Sequence, residues 1–209
     1  MKNATEIVVV MDKSTSMGAI AVEVIGGFNK FLKEQRALPD PANLTLVLFD
    51  TAYSIPINGM PIAEVPELNS TTYRPGGCTA LLDGVGRAIV ETGSRLAAMG
   101  EDRRPEKVIV VVITDGEENS SVEHKKEQIA EMVKHQEEKY DWCFIFMGAN
   151  VDAFHEAAGI GIQAAMAVNY SATPIGTRSA MDGVSKGVSS YRSGGKQALV
   201  DPQWKDDVK

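Results

Sequence analysis

Residues 8–17, VVVMDKSTSM, contain the change from apolar to polar residues that decides the fold. A run of apolar residues ends abruptly at Asp12, and hydroxyl side chains follow at alternate positions, Ser14 and Ser16. The apolar run is typical of a buried strand, and the polar residues are typical of the loop at its carboxyl end. There, one carboxylate and two hydroxyls could converge on a small hard cation, which prefers oxygen ligands. Because Asp and Ser are also favoured in turns and at helix starts, a turn followed by a helix cap explains this pattern equally well.

The composition suits one domain with a sizeable core, since 44% of the 209 residues are hydrophobic. The net charge of -7 disfavours nucleic acid and anionic membranes as partners. No apolar run approaches transmembrane length, and the first residues lack the pattern of a signal peptide. The two cysteines, Cys78 and Cys143, follow neither a metal-ligand spacing nor a disulfide framework. The predicted location is therefore a reducing compartment, the cytoplasm.

Apolar runs and helical stripes alternate along the chain. The runs predict strands at residues 5–11, 43–50, 106–114, 141–148 and 165–169. Residues 52–58, AYSIPIN, follow a turn and are predicted to pair antiparallel with the strand before them. The stripes predict helices at about residues 18–37, 80–99, 122–139, 151–158 and 174–191. Residues 60–74 are interrupted by prolines and predict no regular element.

This alternation predicts an α/β fold: a doubly wound, mostly parallel central sheet with one antiparallel edge strand and helices on both faces. Residues 1–170 are predicted to form the main domain. Residues 171–209 are predicted to add a C-terminal helix and, beyond Arg192, a loosely held tail that packs on the same domain.

Three loops carry short oxygen-bearing side chains where strands end or the next helix begins. In an open parallel sheet, ligands bind at the carboxyl ends of the strands, where the strand order reverses. If the first strand lies next to the strand at 106–114, all three loops face one point. Two carboxylates and three hydroxyls with room for waters suit the octahedral coordination of Mg²⁺, and the set contains no His or Cys ligand of the zinc or copper kind. The residues are Asp12, Ser14 and Ser16 in the first loop, Gly77 and Thr79 in the second, and Asp115 and Gly116 in the third.

Three segments resemble the von Willebrand factor type A (VWA) domain: DKSTS at 12–16, GGCTALLD at 76–83 and TDGEEN at 114–119. They look like its metal-ion-dependent adhesion site (MIDAS), D-x-S-x-S…T…D, and they occur in the family's order. The resemblance covers roughly residues 5–170 and is closest to small intracellular bacterial or phage members. Thr15 replaces the glycine common between the two serines and is expected to tighten the loop. Cys78 precedes Thr79, and neither departure removes a ligand oxygen.

The resemblance implies binding rather than catalysis. Ser14, Ser16 and Thr79 would be hydroxyl ligands of Mg²⁺, or of Ca²⁺ or Mn²⁺, and Asp12 and Asp115 would bind the ion directly or through water. An Asp or Glu carboxylate from a partner protein would complete the coordination sphere.

Several neighbouring residues are candidates for supporting roles. Asp83 is expected either to accept a hydrogen bond from the first loop or to sit on a solvated helix face. Gly116 is expected to support the ligands without binding the ion. Asn119 is expected to cap the following helix. The three histidines lack spaced partners and are expected at the surface.

Two other functions are compatible with such a sheet. A Mg²⁺-dependent hydrolase or phosphotransfer enzyme would use the same acidic strand end against a phosphate. Against it, Asp12 lacks the second Asp two residues later that an enzyme of the haloacid dehalogenase type would show, and the chain has no P-loop sequence. A degenerate domain kept as a scaffold is the remaining alternative, and the complete set of ligand residues argues against it.

Overall fold

A computed structural model of the chain describes residues 3–149, 152–200, 202–205 and 208. Within them lies a six-stranded sheet in the order β3-β2-β1-β4-β5-β6. The edge strand β3 runs antiparallel to β2, and the other neighbours are parallel, which confirms the predicted fold class. The strands are β1 (Thr5–Asp12), β2 (Ala42–Phe49), β3 (Tyr53–Pro61), β4 (Lys107–Thr114), β5 (Cys143–Ala149) and β6 (Ala167–Tyr170).

Helices cover both faces of this sheet. The core on one face joins α1 and α5 to Ile7, Val9 and Met11 of β1, and the core on the other joins α2, α3 and α4 to Val8 and Val10. Because β1 is buried along its whole length, its apolar residues run consecutively instead of alternating. The helices are α1 (Ala21–Arg36), α2 (Leu81–Ala97), α3 (Lys126–Tyr140), α4 (Ala153–Gly159), α5 (Pro174–Gly194) and α6 (Gln197–Val200).

Two helices begin later than predicted. A 3-10 helix, Thr15–Ile20, precedes α1, so the polar loop tightens gradually into the helix. Helix α3 starts at Lys126 instead of residue 122, because the backbone N–H groups of residues 122–124 are bound by a carboxylate of α2 and not by helical carbonyls. Residue 151, the predicted start of the short helix, lies outside the described residues.

The C-terminal part of the chain packs against α1 and the sheet. Helix α5 extends to Gly194, and the buried guanidinium of Arg192 donates to the Gln35 carbonyl at 2.6 Å. Leu199 and Trp204 are 2% and 4% exposed, so these two positions of the predicted loose tail are held in the core. In the ranges that the structure describes, no helix combines the length and the apolar character needed to cross a membrane.

Strand β1 occupies the point at which the strand order reverses. It pairs with β2 on one side and with β4 on the other, and Met11 lies opposite Ile113. The carboxyl ends of β1 and β4 are therefore neighbours. The loops that follow these two strand ends border the crevice where α/β sheets bind ligands.

Helix α2 packs so closely on β2 that one of its glycines has no room for a methyl group. A Cβ at Gly84 would lie 2.8 Å from Cγ of Phe49, whereas the nearest atom to a Cβ at Gly93 in the same helix is 4.0 Å away. We expect Gly84→Ala to lower the free energy of unfolding by about 1–3 kcal/mol. Gly93→Ala should raise it by about 0.5–1 kcal/mol, because alanine favours the helix and nothing is displaced. Urea denaturation of both variants checks this, and equal effects would contradict the packing described here.

Candidate metal site

The Asp12 side chain joins the ends of β1 and β4. It is 0% exposed, its Oδ1 accepts the Ser14 N–H at 2.6 Å, and its Oδ2 accepts the Thr114 hydroxyl at 2.7 Å. The Tyr73 hydroxyl, from the irregular segment after β3, donates to the Asp12 carbonyl at 2.7 Å. Strand pairing and three hydrogen bonds thus fix both the backbone and the carboxylate at this position.

The predicted ligand residues of the three loops lie together. The Ser14 and Ser16 hydroxyl oxygens are 3.1 Å apart, and the Ser16 hydroxyl donates to Asp115 Oδ1 at 2.6 Å. A Cβ placed on Gly116 would lie 3.3 Å from the Thr79 hydroxyl and 3.8 Å from the Ser16 hydroxyl, so both of these groups line the same space. Gly116 borders the cluster and leaves that space free of a side chain.

The cluster meets solvent at one of its five residues. Ser16 is exposed, whereas the other four predicted ligand residues are buried. The four are Asp12, Ser14, Thr79 and Asp115.

Burial raises the pKa of both acidic groups. For Asp12 the loss of solvation is the largest cause, opposed by the hydrogen bonds from Thr114 and Ser14, and the charge of Asp115 adds to the rise. For Asp115 burial is again the largest cause, opposed by the Ser16 hydroxyl. Negative charge in this cluster is therefore costly without a positive charge beside it.

The basic residue of the first loop is paired elsewhere. Lys13 lies between Asp12 and Ser14 in sequence, but its ammonium forms an ion pair with the Asp50 carboxylate at the end of β2. That pairing engages its charge outside the cluster of hydroxyls and carboxylates.

The second loop is fastened to the first loop and to the turn after β2. The Gly76 N–H donates to the Lys13 carbonyl at 2.7 Å, and the Thr15 hydroxyl donates to the Gly77 carbonyl at 2.9 Å. Thr15 thus links the first loop to the second. Gly77 has a φ of +74°, and a Cβ there would lie 2.7 Å from the Thr51 hydroxyl, so this position needs glycine.

The third loop is tied to the start of α2, which the sequence analysis missed. Asn119 was expected to cap the following helix; instead its Oδ1 accepts the Thr79 N–H at 2.9 Å, and its own N–H donates to the Thr79 carbonyl at 3.0 Å. Glu118 accepts the Leu82 N–H at 2.9 Å and thereby serves the N-terminus of α2. The only sequence signal for this arrangement is a run of polar residues too long for a simple cap.

Asp83 supports the third loop and not the first. Its carboxylate accepts the N–H groups of Val122 at 2.8 Å, Glu123 at 3.0 Å and His124 at 2.9 Å. These bonds lower its pKa although burial acts in the opposite direction. Both predicted roles, a hydrogen bond with the first loop and a solvated helix position, are therefore wrong: Asp83 is buried and organises the segment before α3.

A second group of possible metal ligands surrounds Asp83. Ligand atoms of Asp83, Glu123 and His124 all lie within 4.8 Å of one another. The His124 side chain is only 20% exposed, whereas a surface position was predicted for it. Each acid already has a partner: Asp83 binds the backbone, and Glu123 pairs with Arg87. This group is therefore accounted for by loop packing.

Comparison with known proteins identifies the fold. No protein-family model matches the sequence, and no curated protein matches it. Among solved structures, proximal thread matrix protein 1 from the mussel byssus superposes with a TM-score of 0.62 at 19% identity, over 88% of this chain and 45% of that one. A further structure of that protein, described as having a zinc-occupied MIDAS motif, superposes with a TM-score of 0.59 at 17% identity, with the same coverage.

A bacterial domain of similar size also matches. The vWF domain of the pilus tip protein Mfa5 from Porphyromonas gingivalis superposes with a TM-score of 0.61 at 10% identity, over 89% of this chain and 95% of that domain. The present chain spans less than half the length of the mussel protein. At these identities the likeness concerns the fold alone, and the chain has the VWA-like, Rossmann-like fold that the three segments predicted.

Proposed function

We propose that this chain is a divalent-metal-dependent protein-binding module whose cation accepts a carboxylate from a partner protein. The observation that carries the proposal is the meeting of three loops, remote in sequence, around one small space. Two carboxylates and three hydroxyls meet there, and all of these proposed ligands are oxygen donors. They belong to Asp12, Ser14, Ser16, Thr79 and Asp115.

The donor set fits a hard divalent cation. In an octahedral site with metal–oxygen distances of about 2.1 Å, adjacent ligand oxygens lie about 3 Å apart. The 3.1 Å separation of the Ser14 and Ser16 hydroxyl oxygens matches such an edge. A cation there would also offset the cost of burying the Asp12 and Asp115 charges. Mg²⁺ is the proposed ion, with Ca²⁺ and Mn²⁺ as the alternatives.

The exposure of the cluster supports a role in recognition. Ser16 faces solvent while Asp12 and Ser14 are buried, so a ligand can approach from one side without disturbing the fold. A bound cation would supply the positive charge that an incoming Asp or Glu side chain needs. Exclusion of water on docking would strengthen that contact, because charges attract more strongly at low dielectric.

The alternative of a phosphate-processing enzyme gains no support from the residues around the cluster. The nearby cation in sequence, Lys13, is committed to Asp50. The mussel and bacterial structures are described as a matrix protein and a pilus tip protein. Location in the cytoplasm and origin from a bacterial or phage source stay predictions of the sequence.

The proposed ligands are tested by removing one hydroxyl. We expect Mn²⁺ or Mg²⁺ to raise the melting temperature of the wild-type protein, because an ion bound only by the folded state stabilises it. Ser14→Ala should lose this response and bind Mn²⁺ at least about tenfold more weakly, while keeping its circular dichroism spectrum. Ser94→Ala, at an exposed serine of α2, is the matched control and should respond like the wild type. A metal response equal in Ser14→Ala and wild type would contradict the ligand assignment.

The proposed partner contact is tested by capture with and without metal. Immobilised protein should retain a partner from its host in Mg²⁺, release it in EDTA, and fail to retain it as Ser14→Ala. In the retained partner, changing one exposed Asp or Glu to Asn or Gln should abolish binding, since the amide removes the anionic ligand. Retention that survives both EDTA and the Ser14→Ala substitution would overturn the proposal.

A further inference from the structure

We infer that Asn119 and Thr51 are positioning residues, which aim the Thr79 hydroxyl at the proposed cation by holding the backbone of Thr79 itself and of the residue before it. The inference rests on the proposed function and extends it to residues outside the ligand motif. Neither residue is one of the five proposed ligands; Thr51 lies outside the three segments that define the resemblance, and Asn119 is the last residue of the third segment. Each reaches the second loop from a different element.

Asn119 holds Thr79 itself at two points. Its side-chain oxygen accepts the Thr79 N–H at 2.9 Å, and its backbone N–H donates to the Thr79 carbonyl at 3.0 Å. The residue that bears the hydroxyl is therefore bound on both of its backbone polar groups by one partner. Since Asn119 lies four residues after Asp115, this contact also sets the distance between the second and third loops.

Thr51 holds the residue before Thr79. Its hydroxyl accepts the Cys78 N–H at 2.9 Å, and the N–H of Ala80 donates to the carbonyl of Asp50 at 3.2 Å. The turn after β2 thereby brackets Thr79, with one bond before it and one after it. The Lys13–Asp50 ion pair links that turn to the first loop.

These hydrogen bonds around Thr79 matter because Thr79 is a proposed neutral ligand on a loop. A hydroxyl is attracted to a cation far less than a carboxylate, so its contribution depends on being held at the right distance. Thr79 itself is not yet helical, since α2 begins at Leu81. The two side-chain acceptors supply the order that a helix or strand would otherwise provide.

The experiment compares paired variants of the full chain. Mn²⁺ affinity is measured from the electron paramagnetic resonance signal of the free ion, and the free energy of unfolding is measured in EDTA. Asn119→Ala and Thr51→Val remove the acceptors, while Asn119→Asp and Thr51→Ser keep an oxygen at each place. Asn169→Ala is the matched control, because the Asn169 side chain also accepts a backbone N–H, that of Ala153, at 2.9 Å.

We expect the two acceptor-removing variants to bind Mn²⁺ about tenfold more weakly or worse, as is usual for residues that orient metal ligands. Asn119→Asp and Thr51→Ser should restore affinity to within about threefold of the wild type or better. Asn169→Ala should leave it unchanged. If Asn119→Ala fails to fold, the Mn²⁺ affinities of Thr51→Val and Thr51→Ser test the inference.

Failure of this inference and failure of the proposed function are distinguishable. If the wild type binds Mn²⁺ and the acceptor-removing variants bind it equally well, the positioning role is wrong and the proposed function stands. If these variants lose only unfolding free energy in EDTA, with unchanged affinity, the contacts are structural and the inference also fails. If the wild type does not bind Mn²⁺ at all, the proposed function is wrong and this inference falls with it.

Discussion

The parallel pairing of β1 with β4 is the constraint on which the rest of the molecule depends. It brings the ends of two strands remote in sequence to the same place, with Met11 opposite Ile113. The next residue of each strand is polar, Asp12 in β1 and Thr114 in β4, and the Thr114 hydroxyl donates to the Asp12 carboxylate. A slip of one residue in β1 would send Asp12 to the other face of the sheet, so the buried apolar residues on both faces also protect the geometry of the site.

The loops around the site are ordered by side-chain oxygens that accept backbone N–H groups. Asp12 does so for Ser14, Asn119 for Thr79, Glu118 for Leu82, and Asp83 for the segment before α3. The bond to Asp12 is buried and the other three are partly buried, so breaking any of them would leave a polar group unpaired where water reaches it poorly. These hydrogen bonds thereby restrict the conformations of the loops that form the site.

The fold class was predictable because it depends on local patterns. Consecutive apolar residues identify a doubly covered strand, and strand ends in a parallel sheet share one edge. Asp12 and Asp115 could therefore be placed together once β1 and β4 were assumed to be neighbours. The five proposed ligands rest on the resemblance to the VWA domain, and their metal binding stays a prediction. The partners of Asn119 and Asp83 could not be predicted. Each contacts a segment about 40 residues away, and a helix cap is the more common use of such residues when only neighbours are considered.

The most direct measurement is a crystal structure of the protein grown with Mn²⁺, in which anomalous scattering locates the ion. The account predicts one ordered Mn²⁺ bonded to the hydroxyl oxygens of Ser14, Ser16 and Thr79, with Asp12 and Asp115 bound directly or through water. An ordered Mn²⁺ at Asp83, Glu123 and His124, with none among those hydroxyls, would contradict it.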